Sequence, residues 1–323
     1  MIVARDVHKS FGHVRAVRGV SFDIPTGQVV GILGPNGAGK STTIRMLVGA
    51  MPPTSGSISV DNLDCVDHSR RVRQRLGYLP ENNPIYPEMR VTEYLRFRAA
   101  LYGITAKHRR AAVARVIERC WLTDMRSRRA GQLSKGYRQR LGLAASLIHN
   151  PPVLVLDEPT TGLDPSQIAE TRRLVRELSG QRTMLIVSHI LPEVEKTCDR
   201  ILVFAGGTIR ADGSPETLIN NAAGPARIIV ELKTNNRERA QSVIASAPGV
   251  ASAKAIDTDG QWTRVEATAS NDADPRETIA GACAQANLAI RELTRERPSL
   301  ERLYLRITEA AADELRPQPG ADS

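Results

Sequence analysis

Residues 34 to 41, GPNGAGKS, restrict the fold of this chain more tightly than any other stretch. They follow a strand-like run, QVVGIL, and precede a helical one, STTIRMLVGA. The pattern G-x-x-x-x-G-K-[ST] therefore sits in the strand, loop and helix setting that gives it physical meaning. The loop made by Gly34, Pro35, Asn36, Gly37, Ala38 and Gly39 is free to turn its backbone N–H groups toward one point. The helix start at Ser41 and Thr42 adds the positive end of a dipole, and the resulting hollow attracts phosphate oxygens. Lys40 has the length to reach a β- or γ-phosphate, and the Ser41 hydroxyl suits Mg2+.

Two later runs, VLVLDE from Val153 and TMLIVSH from Thr183, are almost continuously apolar and are separated by the helix-like SQIAETRRLVRELSG. Strands of that kind alternating with helices imply a parallel sheet covered on both faces. Such sheets bind ligands at the carboxyl ends of their strands. VLVLDE delivers Asp157 to that edge, where it is expected to hold a magnesium shell. Glu158, one residue on and facing the other way, is expected to orient or deprotonate an attacking water. His189, ending IVSH at the same edge, is expected to contact a γ-phosphate.

With 323 residues, 24% charged and 41% hydrophobic, the chain can bury one large core or two moderate ones. No apolar run is long enough to span a membrane, and MIVARDVHKS lacks the apolar centre of a signal peptide, so neither insertion nor export is expected. The scattered Cys65, Cys120, Cys198 and Cys283 read as buried thiols in a reducing compartment. A formal charge of +9 admits nucleotide, nucleic acid or an anionic membrane face and selects none of them. The basic clusters at 70 to 75, 109 to 110 and 126 to 129 carry almost no interleaved aromatics. They read as solvated faces rather than base-stacking tracks, and no nucleic-acid partner is expected.

Residues 91 to 149 carry three helical patterns, VTEYLRFRAALYG, RRAAVARVIERCWL and KGYRQRLGLAASLIHN. The character changes near residues 220 to 225, and strand, helix, two strands, helix and strand follow, an order that suits a small split β-α-β sandwich. A final helix, PSLERLYLRITEAA, places Leu300, Leu303, Tyr304 and Ile307 on one face, with Ser299 as candidate N-cap. That face suits either core packing or a partner. Residues 1 to 221 are expected to form one domain with a helical part at about 85 to 150. Residues 225 to 310 are expected to form a small α+β domain, and 311 to 323 a disordered tail.

GPNGAGKS, LSKGYRQR, LVLDEP, TTGLDP and the SH pair stand in an order and spacing that closely resemble the ATP-binding subunits of ABC transporters. The likeness covers about the first 220 residues. It implies the P-loop NTPase fold of an ABC ATPase domain: a mixed-sheet core, an antiparallel β subdomain and a helical subdomain, here followed by the small C-terminal α+β domain. LSKGY occupies the place of the family signature, LSGGQ, which faces the γ-phosphate held by a second subunit. Ser134 would then cap a helix whose free N–H groups favour that phosphate, and Gly136 would let the backbone approach it. The resemblance further implies ATP and Mg2+ as cofactors, a homodimer with Asp164 at its interface, a multi-span permease as partner, and a place on the cytoplasmic face of the cell membrane.

Three positions depart from the commonest pattern. Lys135 and Tyr137 replace a glycine and a glutamine of the signature, and Glu81 in GYLPENNPIY stands where a lid glutamine usually senses Mg2+. A carboxylate there can ligate the metal, yet it adds negative charge beside a triphosphate. Phe11 stands where an aromatic ring, often Tyr, stacks on adenine; core packing is the other use of such a ring. GYLPENNPIYPEM and the C-terminal part most resemble subunits serving ABC-2-type export permeases, including drug, sodium, gliding-motility and copper-maturation groups. The leading expectation is an ATPase powering export through ATP-driven dimer closure. Its competitors are a soluble ABC-type ATPase acting on ribosomes or nucleic acid and a weakly hydrolysing regulatory module.

Overall fold

The computed structural model describes residues 1–222, 226–270, 274–296 and 299–315. Strands β1 (Ile2–Phe11) and β2 (Val14–Ile24) pair antiparallel across a tight turn. Their alternation is visible in β2, where Val20, Phe22 and Ile24 point inward and Ser21 and Asp23 outward. β3 (Val29–Leu33) is buried at every residue and leads through the glycine-rich loop into α1 (Lys40–Leu47). β4 (Ser55–Val60) and the short β5 (Leu63–Asp64) complete an antiparallel sheet in the order β2-β1-β4-β5.

α2 (Ser69–Arg75) carries the first basic cluster and buries only Val72, so those arginines do form an exposed face. β6 (Leu76–Leu79) then enters the central sheet. Three helices follow: α3 (Val91–Leu101), α4 (Ala106–Arg119) and α5 (Lys135–Leu147). The cluster at 126 to 129 works partly through its backbone, since the carbonyls of Arg126 and Arg128 accept from the N–H groups of Thr92 and Val91 at the start of α3. They satisfy donors that a helix start leaves free.

The chain returns to the sheet through β7 (Val153–Asp157), α6 (Pro165–Leu178), β8 (Thr183–Val187), α7 (Leu191–Thr197), β9 (Arg200–Ala205), β10 (Thr208–Gly213) and α8 (Pro215–Ala222). The six strands lie in the order β10-β9-β3-β8-β7-β6. All neighbours are parallel except β9 and β10, which makes the sheet mixed. One core joins Ile2, Phe22 and Ile58 of the antiparallel sheet to Ile44 and Leu47 of α1 and Ile32, Val155 and Phe204 of the central sheet.

Residues Glu216–Leu303 form a second compact unit with its own core. It contains β11 (Arg227–Lys233), α9 (Arg237–Ala245), β12 (Val250–Asp259), β13 (Trp262–Ala269), α10 (Arg276–Gln285) and β14 (Ile290–Glu296). Its sheet is antiparallel throughout, in the order β12-β13-β11-β14, with the helix-facing core made by Ile228, Val230, Val265, Ala240, Ile244 and Ile279. This is the split arrangement in which a strand sits between the two partners of each β-α-β crossover.

The last helix, α11 (Leu300–Leu315), corrects the expected tail. Structure does not stop at residue 311: Ala311 is buried and Glu314 pairs with Arg210 of β10, so the helix continues over the surface of the first unit. The remainder of the expected tail, residues 316 to 323, lies outside the described residues, as do 223 to 225 of the expected junction. Leu300 is buried and Leu303, Tyr304 and Ile307 are half-buried, which favours packing for that face. All four cysteines are buried and unpaired.

Candidate active site

Register brings the candidate site residues to one level. Val187 of β8 lies opposite both Ile32 of β3 and Asp157 of β7, so the three strands deliver their following residues to the same edge of the sheet. The phosphate loop leaves β3 there. Gly39 adopts φ 97°, and a Cβ on it would stand 2.6 Å from the Ala16 carbonyl oxygen, so only glycine fits. Asn36 and Gly37 are exposed at the rim, Pro35 is half-buried, and Gly34, Ala38 and Gly39 are buried beneath it. Ser41 is exposed and Thr42 half-buried at the start of α1.

Lys40 is 8% exposed, and its ammonium donates to the Gly34 and Pro35 carbonyls at 2.6 and 3.0 Å. Burial lowers its pKa, while Glu158, Asp157 and Glu81 oppose that shift. The loop thus holds its cation folded back over the hollow it encloses. Three carboxylates act on this one amine, which leaves the site with excess negative charge. Asp157 feels it most directly: its carboxyl is pushed up to about 6 by burial, then by Glu81 and Glu158, against the opposing pull of Lys40 and Arg45.

That crowding fits a divalent cation. Ser41, Asp157 and Glu81 offer hard oxygen ligands of the kind Mg2+ prefers. Among the described residues no three acidic, His or Cys side chains form a cluster able to hold an ion. Mg2+ commonly takes one or two protein oxygens and completes its shell with water and substrate phosphate, which suits this arrangement.

Glu158 is the most constrained residue at the edge. It is 8% exposed and has φ 51°, a left-handed conformation that costs a non-glycine residue about 1 to 3 kcal/mol. Its N–H donates to the Val187 carbonyl at 2.9 Å. Its Oε1 accepts from the His189 N–H at 3.0 Å and lies 2.7 Å from His189 Nδ1, and its Oε2 accepts from the Thr161 hydroxyl at 3.2 Å. The structure therefore sets His189 against Glu158, with 58% of the His189 side chain exposed. An exposed imidazole anchored to a buried carboxylate can present its other nitrogen outward.

The signature stretch stands at the start of α5. The Ser134 hydroxyl accepts from the Tyr137 N–H at 3.4 Å, as an N-cap does. On the Cβ side of Gly136 the space is taken by Gln167 of α6, whose Oε1 would lie 2.3 Å from an added Cβ. Within this chain its smallness admits a neighbouring side chain. The aliphatic arm of Lys135 lies against Gly162 in the TTGLDP turn, and the Arg140 guanidinium stands over the rings of Tyr137 and Trp121 at 5.4 and 5.5 Å. Asp164 caps α6, accepting from Gln167 N–H at 2.9 Å and Ser166 Oγ at 2.6 Å, and the Ser166 hydroxyl leads in holding its acid below the usual range.

Phe11 keeps 49% of its surface exposed, with the Lys9 ammonium 5.4 Å from its ring centre, so it is not a core residue. Glu81 is exposed on the segment after β6 and reaches Lys40 and Asp157 only through its field. Sequence reasoning missed Gln139, whose Nε2 donates to the Glu158 carbonyl at 3.2 Å, and Asn83, whose Nδ2 donates to the Arg138 carbonyl at 2.8 Å. The available signal for Gln139 was a polar residue on the buried stripe that also holds Gly136 and Leu143.

A glycine-rich loop between a parallel strand and a helix, level with an acid pair and a histidine, marks a nucleoside-triphosphate-hydrolysing P-loop enzyme. Comparison with known proteins narrows the class. The ABC transporter family model matches residues 17–161. The Nod factor export ATP-binding protein I of Burkholderia orbicola (strain AU 1054) is 40% identical over 221 residues, 68% of this chain and 73% of that protein. The linearmycin resistance ATP-binding protein LnrL of Bacillus subtilis (strain 168) is 30% identical over 309 residues, 95% of this chain and 98% of its own length. A solved ATP binding subunit of an ABC transporter superimposes with a TM-score of 0.64 at 27% identity, covering 68% of this chain and 92% of that one. The chain belongs to the ATP-binding subunits of ABC transporters. It is an ATPase that powers a transporter.

Proposed function

We propose that this chain drives an ABC-2-type export permease, working as a homodimer on the cytoplasmic face of the cell membrane. The observation that carries this reading is that one chain holds two helix starts suited to phosphate, the glycine-rich loop at Gly34–Ser41 that opens α1 and the Ser134 cap that opens α5, with Asp164 as the cap of α6. Each needs a nucleotide, and a second copy of the chain supplies the complementary half of each site. The names of the two relatives, one an export protein and one a resistance protein, support the direction of transport. Among the described residues no helix is long and apolar enough to cross a membrane, so the pore would come from a separate subunit.

In this reading residues 1 to 221 form the ATP-binding domain, with the helical part at about 85 to 150, and 225 to 310 form a small domain of its own. Phe11 stacks on adenine with its exposed ring. The loop N–H groups and the α1 dipole hold the β- and γ-phosphates, and Lys40 leaves the Gly34 and Pro35 carbonyls to join them. Bound Mg2+ would neutralise phosphate charge, and Ser41, Asp157 and Glu81 are the groups that would hold it. Glu158 orients the attacking water and accepts its proton, while His189, held by Glu158, faces the γ-phosphate. Ser134, Lys135, Gly136 and Tyr137 meet the nucleotide of the second copy. Loss of the γ-phosphate removes the bridge and opens the dimer.

The test is to extract the tagged chain from native membranes in mild detergent and identify what co-purifies in stoichiometric amount. A multi-span membrane protein is the expected result. Ribosomal or nucleic-acid partners without one would refute the reading.

A further inference from the structure

Helix α5 reaches the catalytic edge through one buried side chain. Gln139 is 9% exposed, and its Nε2 donates to the main-chain carbonyl of Glu158 at 3.2 Å. That carbonyl belongs to a residue in the left-handed region, and its other partner is the Thr161 N–H at 3.3 Å, a longer contact within the same turn. The carboxylate is held from the sheet side by His189 and from the turn by Thr161. Gln139 is the one of these contacts that comes from the helical layer. The same stretch of α5 carries the N-cap Ser134 three residues before Tyr137 and accepts the Asn83 amide at Arg138.

We propose that Gln139 is a positioning residue for ATP hydrolysis: its amide holds the Glu158 backbone in the left-handed conformation that aims the carboxylate, and so links the placement of α5 to the readiness of the base. The inference rests on the assignment of Glu158 as the group that activates water. Without the amide donor, a buried carbonyl loses its stronger partner and the Glu158 peptide gains freedom to leave its unfavourable conformation. The carboxylate would then swing from its place beside His189. Nucleotide binding, which depends on the loop and α1, would not change.

The experiment uses the full chain and Mg-ATP turnover between pH 6 and 9, with four proteins: wild type, Gln139→Met, Gln139→Glu and Glu158→Gln. Met keeps the volume and removes the donor. We expect Gln139→Met to lower kcat about tenfold or more, equivalent to at least ~1.4 kcal/mol of barrier, with KM for ATP within about twofold. The carboxyl of Gln139→Glu lacks a donor when ionised and regains one when protonated, so the ratio of the variant's kcat to wild type should rise as pH falls. A side chain needed only for packing would lower the melting temperature without producing that rise. Should Gln139→Met fail to fold, the pH ratio of Gln139→Glu decides alone. Wild-type kcat in Gln139→Met, a loss confined to KM, or a flat ratio for Gln139→Glu, with Glu158→Gln inactive, overturns the inference and leaves the role of Glu158 standing. Full turnover in Glu158→Gln overturns both.

Discussion

Replacing Asp157 by Asn should make the nucleotide-free protein more stable while abolishing its turnover. Asp157 is 6% exposed, and its carboxyl moves from an ordinary 3.8 up to about 6 through burial first and then the fields of Glu81 and Glu158. A carboxyl whose folded pKa is raised favours the fold while protonated, and that advantage is lost as pH rises from the unfolded value through the folded one. The cost of the ionised form therefore grows between about pH 4 and pH 6 and is complete above that. A shift of roughly two units corresponds to about 3 kcal/mol at most, and screening by solvent at the open edge reduces it to about 1 to 3 kcal/mol. Asn cannot ionise and escapes this cost. Urea denaturation of both proteins without nucleotide, at pH 8 and at pH 4, measures it. Asp157→Asn should exceed wild type by about 1 to 3 kcal/mol more at pH 8 than at pH 4. Any lost hydrogen bond contributes equally at both values, so the difference between them isolates charge. An equal effect at the two pH values, or a variant less stable at pH 8 than at pH 4 relative to wild type, would refute the argument from crowded carboxylates.

Lys40→Ala should weaken ATP binding and reduce turnover to background, read by nucleotide titration and phosphate release, because it removes the cation from the loop. Glu158→Gln should retain ATP binding and form a Mg-ATP-dependent dimer detectable by light scattering; a nucleotide-loaded monomer at high protein concentration would count against the shared site. Gly39→Ala should destabilise by about 2 to 4 kcal/mol, since it combines a positive φ with a carbonyl 2.6 Å from the new methyl. Gly136→Ala meets only the movable end of Gln167 and should cost less than about 1.5 kcal/mol, so equal losses of melting temperature for the two variants would contradict the packing described.

The phosphate loop, the acid pair after β7 and the histidine after β8 were legible because each is written in consecutive residues beside a strongly patterned strand. Strands β6 and β10 and helices α7 and α8 carry little signal, being short or lacking a clear period, whereas β9 has the same apolar run as β7 and β8 but no motif beside it. The end of α11 is hard to place from sequence because the polar, proline-rich run that begins at Asp313 resembles a tail unless the surface it meets is known, and Arg210 of β10 supplies that surface to Glu314. Nothing in LSKGYRQR reveals that Gln167, on a later helix, fills the space beside Gly136.

Local chemistry was determined by the sequence alone: which loop can cradle phosphate, which acids follow buried strands, and which residue caps α5. These depend on backbone freedom, apolar periodicity and side-chain type over a few neighbouring positions. Tertiary structure decided how those pieces act on one another. It set Glu158 in the left-handed region with His189 on its carboxylate and Gln139 on its carbonyl, folded Lys40 back onto the carbonyls of its own loop, and brought the fields of three carboxylates to bear on that one amine. The contacts of Glu158 with Gln139 and His189 join positions 19 and 31 residues apart, through helix packing and strand register. They arise only when the sheet has placed its carboxyl ends level, because hydrogen-bond geometry and electrostatic fields depend on distance in space and carry no mark in the order of the chain.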